Sequence, residues 1–93
     1  MQWSGMKLVN ISDFPDYIDA SGGQGSGVFA TSVPEGSDAA KVGMKEGDTI
    51  VRIGGNTVRT LKDFRRGLKR TAENEVKLKV FRGYRHYTFK LRP

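Results

Sequence analysis

The sequence predicts an α+β chain: one small, partly open β-barrel or sandwich of about five to six strands carrying two helices. Three observations predict it. First, 93 residues with 37% apolar content supply one core and no second, so residues 1–93 are read as a single domain. Second, short β-prone runs recur between Gly- and Pro-containing turns. Third, the clearest helical stripe of apolar residues lies between Thr60 and Thr71.

The elements follow in order. From Trp3 to Ile11, Met6 and Leu8 share one face of an early strand and Lys7 and Val9 the other. Ser12 to Asp19 places Pro15 and acidic residues in a first turn, which predicts a short helix whose Phe14, Tyr17 and Ile18 fold back onto the core. Residues 19–27, with four glycines between Ser21 and Gly27, read as a flexible loop. Val28 to Val33 is a second β run, stopped by Pro34-Glu35-Gly36. Ser37 then caps a helix of a turn or two that ends at Gly43. Thr49 to Ile53 is β again, closed by Gly54-Gly55-Asn56 before Thr57-Val58. Thr60 and Asp63 resemble a capping box for the longer helix, in which Leu61, Phe64 and Leu68 form the inward stripe. Val76, Leu78 and Val80 alternate with polar partners, and after Arg82-Gly83 the run Tyr87, Phe89, Leu91 shares a face, predicting a C-terminal hairpin with one buried side.

Charge and motifs exclude several classes of function. With no Cys and a single histidine, His86, there is no thiolate nucleophile and no multi-histidine metal site, and no cofactor is expected. The string Gly25 to Ala30 has dinucleotide-fingerprint spacing, but a β run follows where the phosphate needs a helix N-terminus. No Gly-x-Ser-x-Gly elbow accompanies Ser26, so no catalytic residues are assigned and the domain is not expected to be an enzyme. Asp13, Asp16 and Asp19 stand three apart, unlike the alternate ligands of a calcium loop. The apolar runs are too short to span a bilayer, and the opening residues lack the regions of a signal peptide. Residues 1–58 hold four basic and seven acidic residues, net −3, whereas residues 59–93 hold twelve basic and three acidic, net +9. The basic half is either an ordinary solvated face or a surface for nucleic acid or anionic membrane, and no nucleic-acid motif accompanies it.

From Val33 to Gly55 the sequence resembles the bacterial PDZ family, through Gly36-Ser37, Ala39-Ala40, Gly43-Met44, Gly47-Asp48, Ile50 and Ile53-Gly54-Gly55, followed by Val58, Leu61, Asp63, Phe64 and Leu68. The likeness covers residues 27–93 closely and 3–26 loosely, with Asp38 standing where the family commonly has Pro. Element order resembles the circularly permuted form found beside bacterial proteases, especially Do/HtrA-type serine proteases, while Pro15-Asp16-Tyr17 resembles PDZ domains attached to zinc aminopeptidases. Such a resemblance implies a non-catalytic module that captures C-terminal or unfolded apolar peptide segments, or a segment of its own parent. It also implies a larger, extracytoplasmic or membrane-associated protease as that parent.

The implied site follows. Trp3-Ser4-Gly5-Met6 matches the family's aromatic-x-Gly-hydrophobic carboxylate-binding motif, and a turn there offers converging N–H groups to an anion. The peptide would add as a strand along Met6, Lys7, Leu8 and Val9. Met6, Leu8 and Leu68 would line the pocket for its last side chain, Leu61 would meet the residue two before the end, and Arg65 would pair with an acidic ligand residue. Without the resemblance, Met6, Leu8 and Leu68 read equally as plain core and Arg65 as a solvated charge.

Overall fold

A computed structural model describes residues 1–20, 25–70 and 75–91, so the middle of the Gly-rich loop and the expected helix end at Thr71 lie outside the described residues. The elements are β1 (Gln2–Trp3), β2 (Met6–Asn10), a 3-10 turn (Ile11–Asp13), α1 (Pro15–Ala20), β3 (Val28–Ser32), α2 (Asp38–Lys41), β4 (Thr49–Ile53), β5 (Asn56–Thr57), α3 (Leu61–Arg70), β6 (Val76–Arg82) and β7 (Arg85–Leu91). All strands pair antiparallel in one open sheet of order β1-β2-β3-β4-β6-β7, with β5 against β4. Among the described residues the strand count exceeds the expected five to six because two of the seven are two-residue pairings, and there are three α-helices instead of two because the segment after Phe14 forms a six-residue helix.

Local chemistry explains the boundaries. Ser37 caps α2, its Oγ accepting from the Ala40 N–H at 3.2 Å. Thr60 caps α3, with the Asp63 N–H donating to its Oγ1 at 3.3 Å. The Asp63 carboxylate reaches one residue further back than a capping box requires, accepting from the Arg59 N–H at 3.0 Å. A second cap comes from outside the helix: Asn10 Oδ1 accepts the Leu61 N–H at 2.6 Å and ties the end of β2 to the start of α3.

The core sits between the curled sheet and α3. Met6, Leu8, Val28, Ala30, Ile50, Ile53, Phe64, Val76, Leu78 and Val80 are all fully buried. Gly67 is also buried, because α3 makes so close an approach to β4 there that a Cβ would overlap Ile53 Cγ2. The connection before β4 is held by an ion pair between a buried carboxylate and a partly exposed guanidinium. Asp48 is 0% exposed and accepts from Arg82 Nε at 2.6 Å and Nη2 at 2.7 Å, while Nη2 also donates to the Gly43 carbonyl at 2.9 Å. The hydrogen bonds to Asp48 raise the Arg82 pKa above the ordinary arginine value, so the guanidinium stays charged at every pH at which the domain is handled.

Two expectations about burial are corrected. Tyr87 shares the inner face as expected, opposite Val80, yet it is 37% exposed toward the turn end of the hairpin, where the Arg82 guanidinium lies over its ring at 4.7 Å. Phe14 was expected to fold onto the core but is exposed. It stacks on Tyr17, which in turn stacks on Phe29, so the three rings form a ladder on the outside of the sheet.

Candidate functional site

The expected early strand is broken by a two-residue turn at Ser4–Gly5. Ser4 and Gly5 have φ of 54° and 87°, the two positive angles of a type I′ turn, and reverse the chain from β1 into β2. Gly accepts this geometry freely, whereas Ser4 gives up about 1–2 kcal/mol to hold it. The turn is seated on α2: the Ala39 N–H donates to the Ser4 carbonyl at 3.3 Å, and a Cβ on Gly5 would stand 2.5 Å from Ser37 Cβ. Ser4 Oγ is buried there without a hydrogen-bond partner.

Along the far edge of β2 the pairing runs Trp3 to Met6 and Gln2 to Lys7, and the Leu8 N–H donates to the Met1 carbonyl at 2.7 Å. β1 thus lies on the outer edge of β2, the side on which α3 also packs. Because Trp3 sits opposite Met6, its side chain falls on the core face. The half-buried indole meets Phe64 of α3 edge-on, with centroids 5.3 Å apart and planes at 84°.

The residues singled out from the sequence divide accordingly. Met6 and Leu8 have no exposed surface and belong to the core, while Lys7 points to solvent between them. Leu61 and Leu68 are half-buried at the rim where α3 borders the core, and Arg65 is exposed. By helical periodicity Arg65 lies about 40° round the axis from Leu61 and about 60° from Leu68, so it flanks the same rim. Trp3, Ser4 and Gly5 form the end of β1 and its turn. Sequence reasoning missed three contributors: Asn10, which fixes the head of α3; Gly67, which sets its distance from β4; and Ser37, against which the turn packs. The glycine inside a helical stripe was the one available signal, since Gly in a helix interior is costly unless space demands it.

The outer side of α3 is strongly basic. Lys62, Arg65, Arg66 and Lys69 line a shallow hollow of about 300 Å³. Asp63 is the one acidic residue in the helix, and it stands 3.9 Å from Arg66 while bonded to the Arg59 N–H. A ligand lying along the helix rim would therefore meet apolar groups on its inner side and cations on its outer side.

Comparison with known proteins agrees with this architecture. The PDZ domain family matches residues 5–92. Over 52 residues the chain is 40% identical to a candidate zinc metalloprotease of Clostridium perfringens (strain 13 / Type A), a stretch that is 56% of this chain and 16% of that protein. Among solved structures, the PDZ domain of HtrA3 bound to a phage-derived ligand, FGRWV, superposes with a TM-score of 0.79 at 22% identity, over 100% of this chain and 85% of that one. AlgW, an HtrA-type protease solved with a decapeptide, superposes with a TM-score of 0.71 at 21% identity, over 97% of this chain and 28% of that one. The two superpositions speak for the fold, and the family match covers nearly every residue from the turn at Gly5 onward. The chain belongs to the PDZ domain family.

Proposed function

We propose that this domain binds C-terminal or unfolded apolar peptide segments by strand addition in the groove between β2 and α3, as the substrate-recognition or regulatory module of a larger protease. The observation that carries the reading is β1 itself. A short strand pairs antiparallel with the outer edge of β2 and lays an aromatic side chain against α3, the arrangement an added peptide would need. Main-chain bonds along β2 give affinity with little sequence preference, and the rim at Leu61 and Leu68 gives apolar selection. Arg65 and its basic neighbours favour acidic residues upstream in the ligand. The ligands of the structural neighbours, a phage-derived peptide and a decapeptide, lend support to peptide as the ligand class.

The experiment is a fluorescence-anisotropy titration with labelled apolar-x-apolar peptides, each prepared as free acid and as amide. Dissociation constants in the micromolar range, about −7 to −8 kcal/mol, are expected from so short an edge. Loss of binding on amidation assigns carboxylate capture to the Ser4 to Met6 segment. Equal binding of acid and amide points to internal segments, and no binding by either rejects the groove.

A second reading is favoured by one feature of the sheet. Across its outer face Arg52 stands opposite Lys79, and Lys77 opposite Lys90, all exposed. Like charges directly opposite each other weaken a sheet. An anionic surface, nucleic acid or lipid, would neutralise them. Binding to anionic vesicles or to oligonucleotides that falls steeply between low and high salt supports this reading; groove binding of an apolar peptide changes little over the same range.

A further inference from the structure

We infer that β1 is the resident ligand of the β2–α3 groove, that an outside peptide binds by taking its place, and that the side chain replacing Trp3 is preferentially aromatic. This rests on the strand-addition reading and adds what occupies the site and what that occupant selects.

The register supports it first. Met1, Gln2 and Trp3 run antiparallel to β2 and use its edge as far as Leu8, so two strands cannot pair with Met6 to Leu8 on that side at once. A peptide adding in the same direction, with its last residue beside the Ser4–Gly5 turn, would place that residue where Trp3 now lies and its third-last residue where Met1 lies. The pocket is filled by an indole edge-on to Phe64, so a large flat side chain fits the space while a small aliphatic one leaves it partly empty.

β1 is also built to leave. Gln2 is exposed and Trp3 only half-buried, whereas Met6 and Leu8 beneath them are fixed in the core. Its turn holds a non-glycine residue at φ 54° and leaves Ser4 Oγ buried without a partner, two features that release of the hairpin relieves. Once β1 departs, the backbone of Ser4, Gly5 and Met6 is free to re-form around a carboxylate, which links release of the resident strand to capture of the new one.

Trp3 is the only tryptophan in the chain, so its emission reports the exchange directly. The test uses a Trp-free acetylated peptide ending Leu-Gln-Phe as free acid, added to the intact chain. The expected result is a red shift of Trp3 emission that saturates with the dissociation constant read by anisotropy of the same peptide carrying a label. Trp3→Gly should bind the labelled peptide about tenfold more tightly, as for a groove that the resident strand fills about nine-tenths of the time, while Trp3→Phe should bind like the wild type. Circular dichroism of both variants checks that the sheet persists. Replacing the terminal Phe by Val should weaken binding severalfold.

Peptide binding with Trp3 emission unchanged, or equal affinity for wild type and Trp3→Gly, overturns the inference and leaves strand addition standing. A Val-ended peptide that binds as well as the Phe-ended one overturns the aromatic preference. Binding to Trp3→Gly alone supports exchange in its strongest form. No binding to any variant removes the strand-addition reading and the inference with it.

Discussion

Gly67 is where the position of the groove wall meets the packing of the core, and Gly67→Ala tests that link. The residue is helical, so alanine fits the backbone and by itself gains about 0.8–1.0 kcal/mol of helix propensity. The space does not allow it. A Cβ at position 67 would overlap Ile53 Cγ2, and Ile53 is fully buried among core side chains. Overpacking of this kind costs about 1–3 kcal/mol, and with a contact closer than any real Cβ makes, the upper half of that range applies. Net destabilisation is therefore about 1–2 kcal/mol, a fall in melting temperature of roughly 4–15 °C for a domain of this size. Ile53→Ala removes the clashing methyl at its own cost of about 2–5 kcal/mol. The double variant should lose less than the sum of the two, because the new methyl partly fills the space that Ile53 vacates. Urea unfolding of the four proteins closes the cycle. A more stable Gly67→Ala, or strictly additive variants, would refute the argument that this contact sets the distance between α3 and β4. The same shift of α3 should also change peptide affinity without any groove residue having been touched.

Three further outcomes follow from the same contacts. Arg82→Met leaves Asp48 buried with only the Lys45 N–H, at 2.9 Å, among its described bonds; since Arg82 is itself partly exposed, a loss of about 2–4 kcal/mol is expected in urea unfolding, partly recovered by adding Asp48→Asn. A loss below about 1 kcal/mol would show the pair to be incidental. Gly5→Ala forces an L side chain to φ 87° and against Ser37 Cβ, so thermal melts should show about 1–3 kcal/mol of destabilisation, and Gly5→Asn, which tolerates the left-handed angle better but not the crowding, should fare no better. Leu68→Asp puts a charge on the groove rim and should weaken apolar peptide binding at least about tenfold while the far-ultraviolet spectrum stays that of a folded domain; undiminished affinity would move the binding site elsewhere.

Much of this protein could be read from its sequence because the relevant physics is local. The alternation of Val76, Leu78 and Val80, the Ser37 and Thr60 caps, the turn at Pro34 to Gly36 and the stripe of Leu61, Phe64 and Leu68 each act within a few residues, and together with the Gly-Met and Gly-Asp motifs they pointed to the PDZ fold. Other features depend on which elements become neighbours, and only the tertiary structure decided them. Asp48 and Arg82 are 34 positions apart and Asn10 and Leu61 are 51 apart, so no periodicity announces either bond. Tyr87 meets the Arg82 guanidinium that Asp48 holds, and Gly67 is required because Ile53 of another element comes to rest beneath it. The same is true of β1. Trp3-Ser4-Gly5-Met6 reads as one motif along the chain, but the fold splits it into a strand, a turn and a second strand, because the edge of β2 offers unpaired backbone groups and an apolar rim, and the nearest chain able to satisfy both is the one just before it.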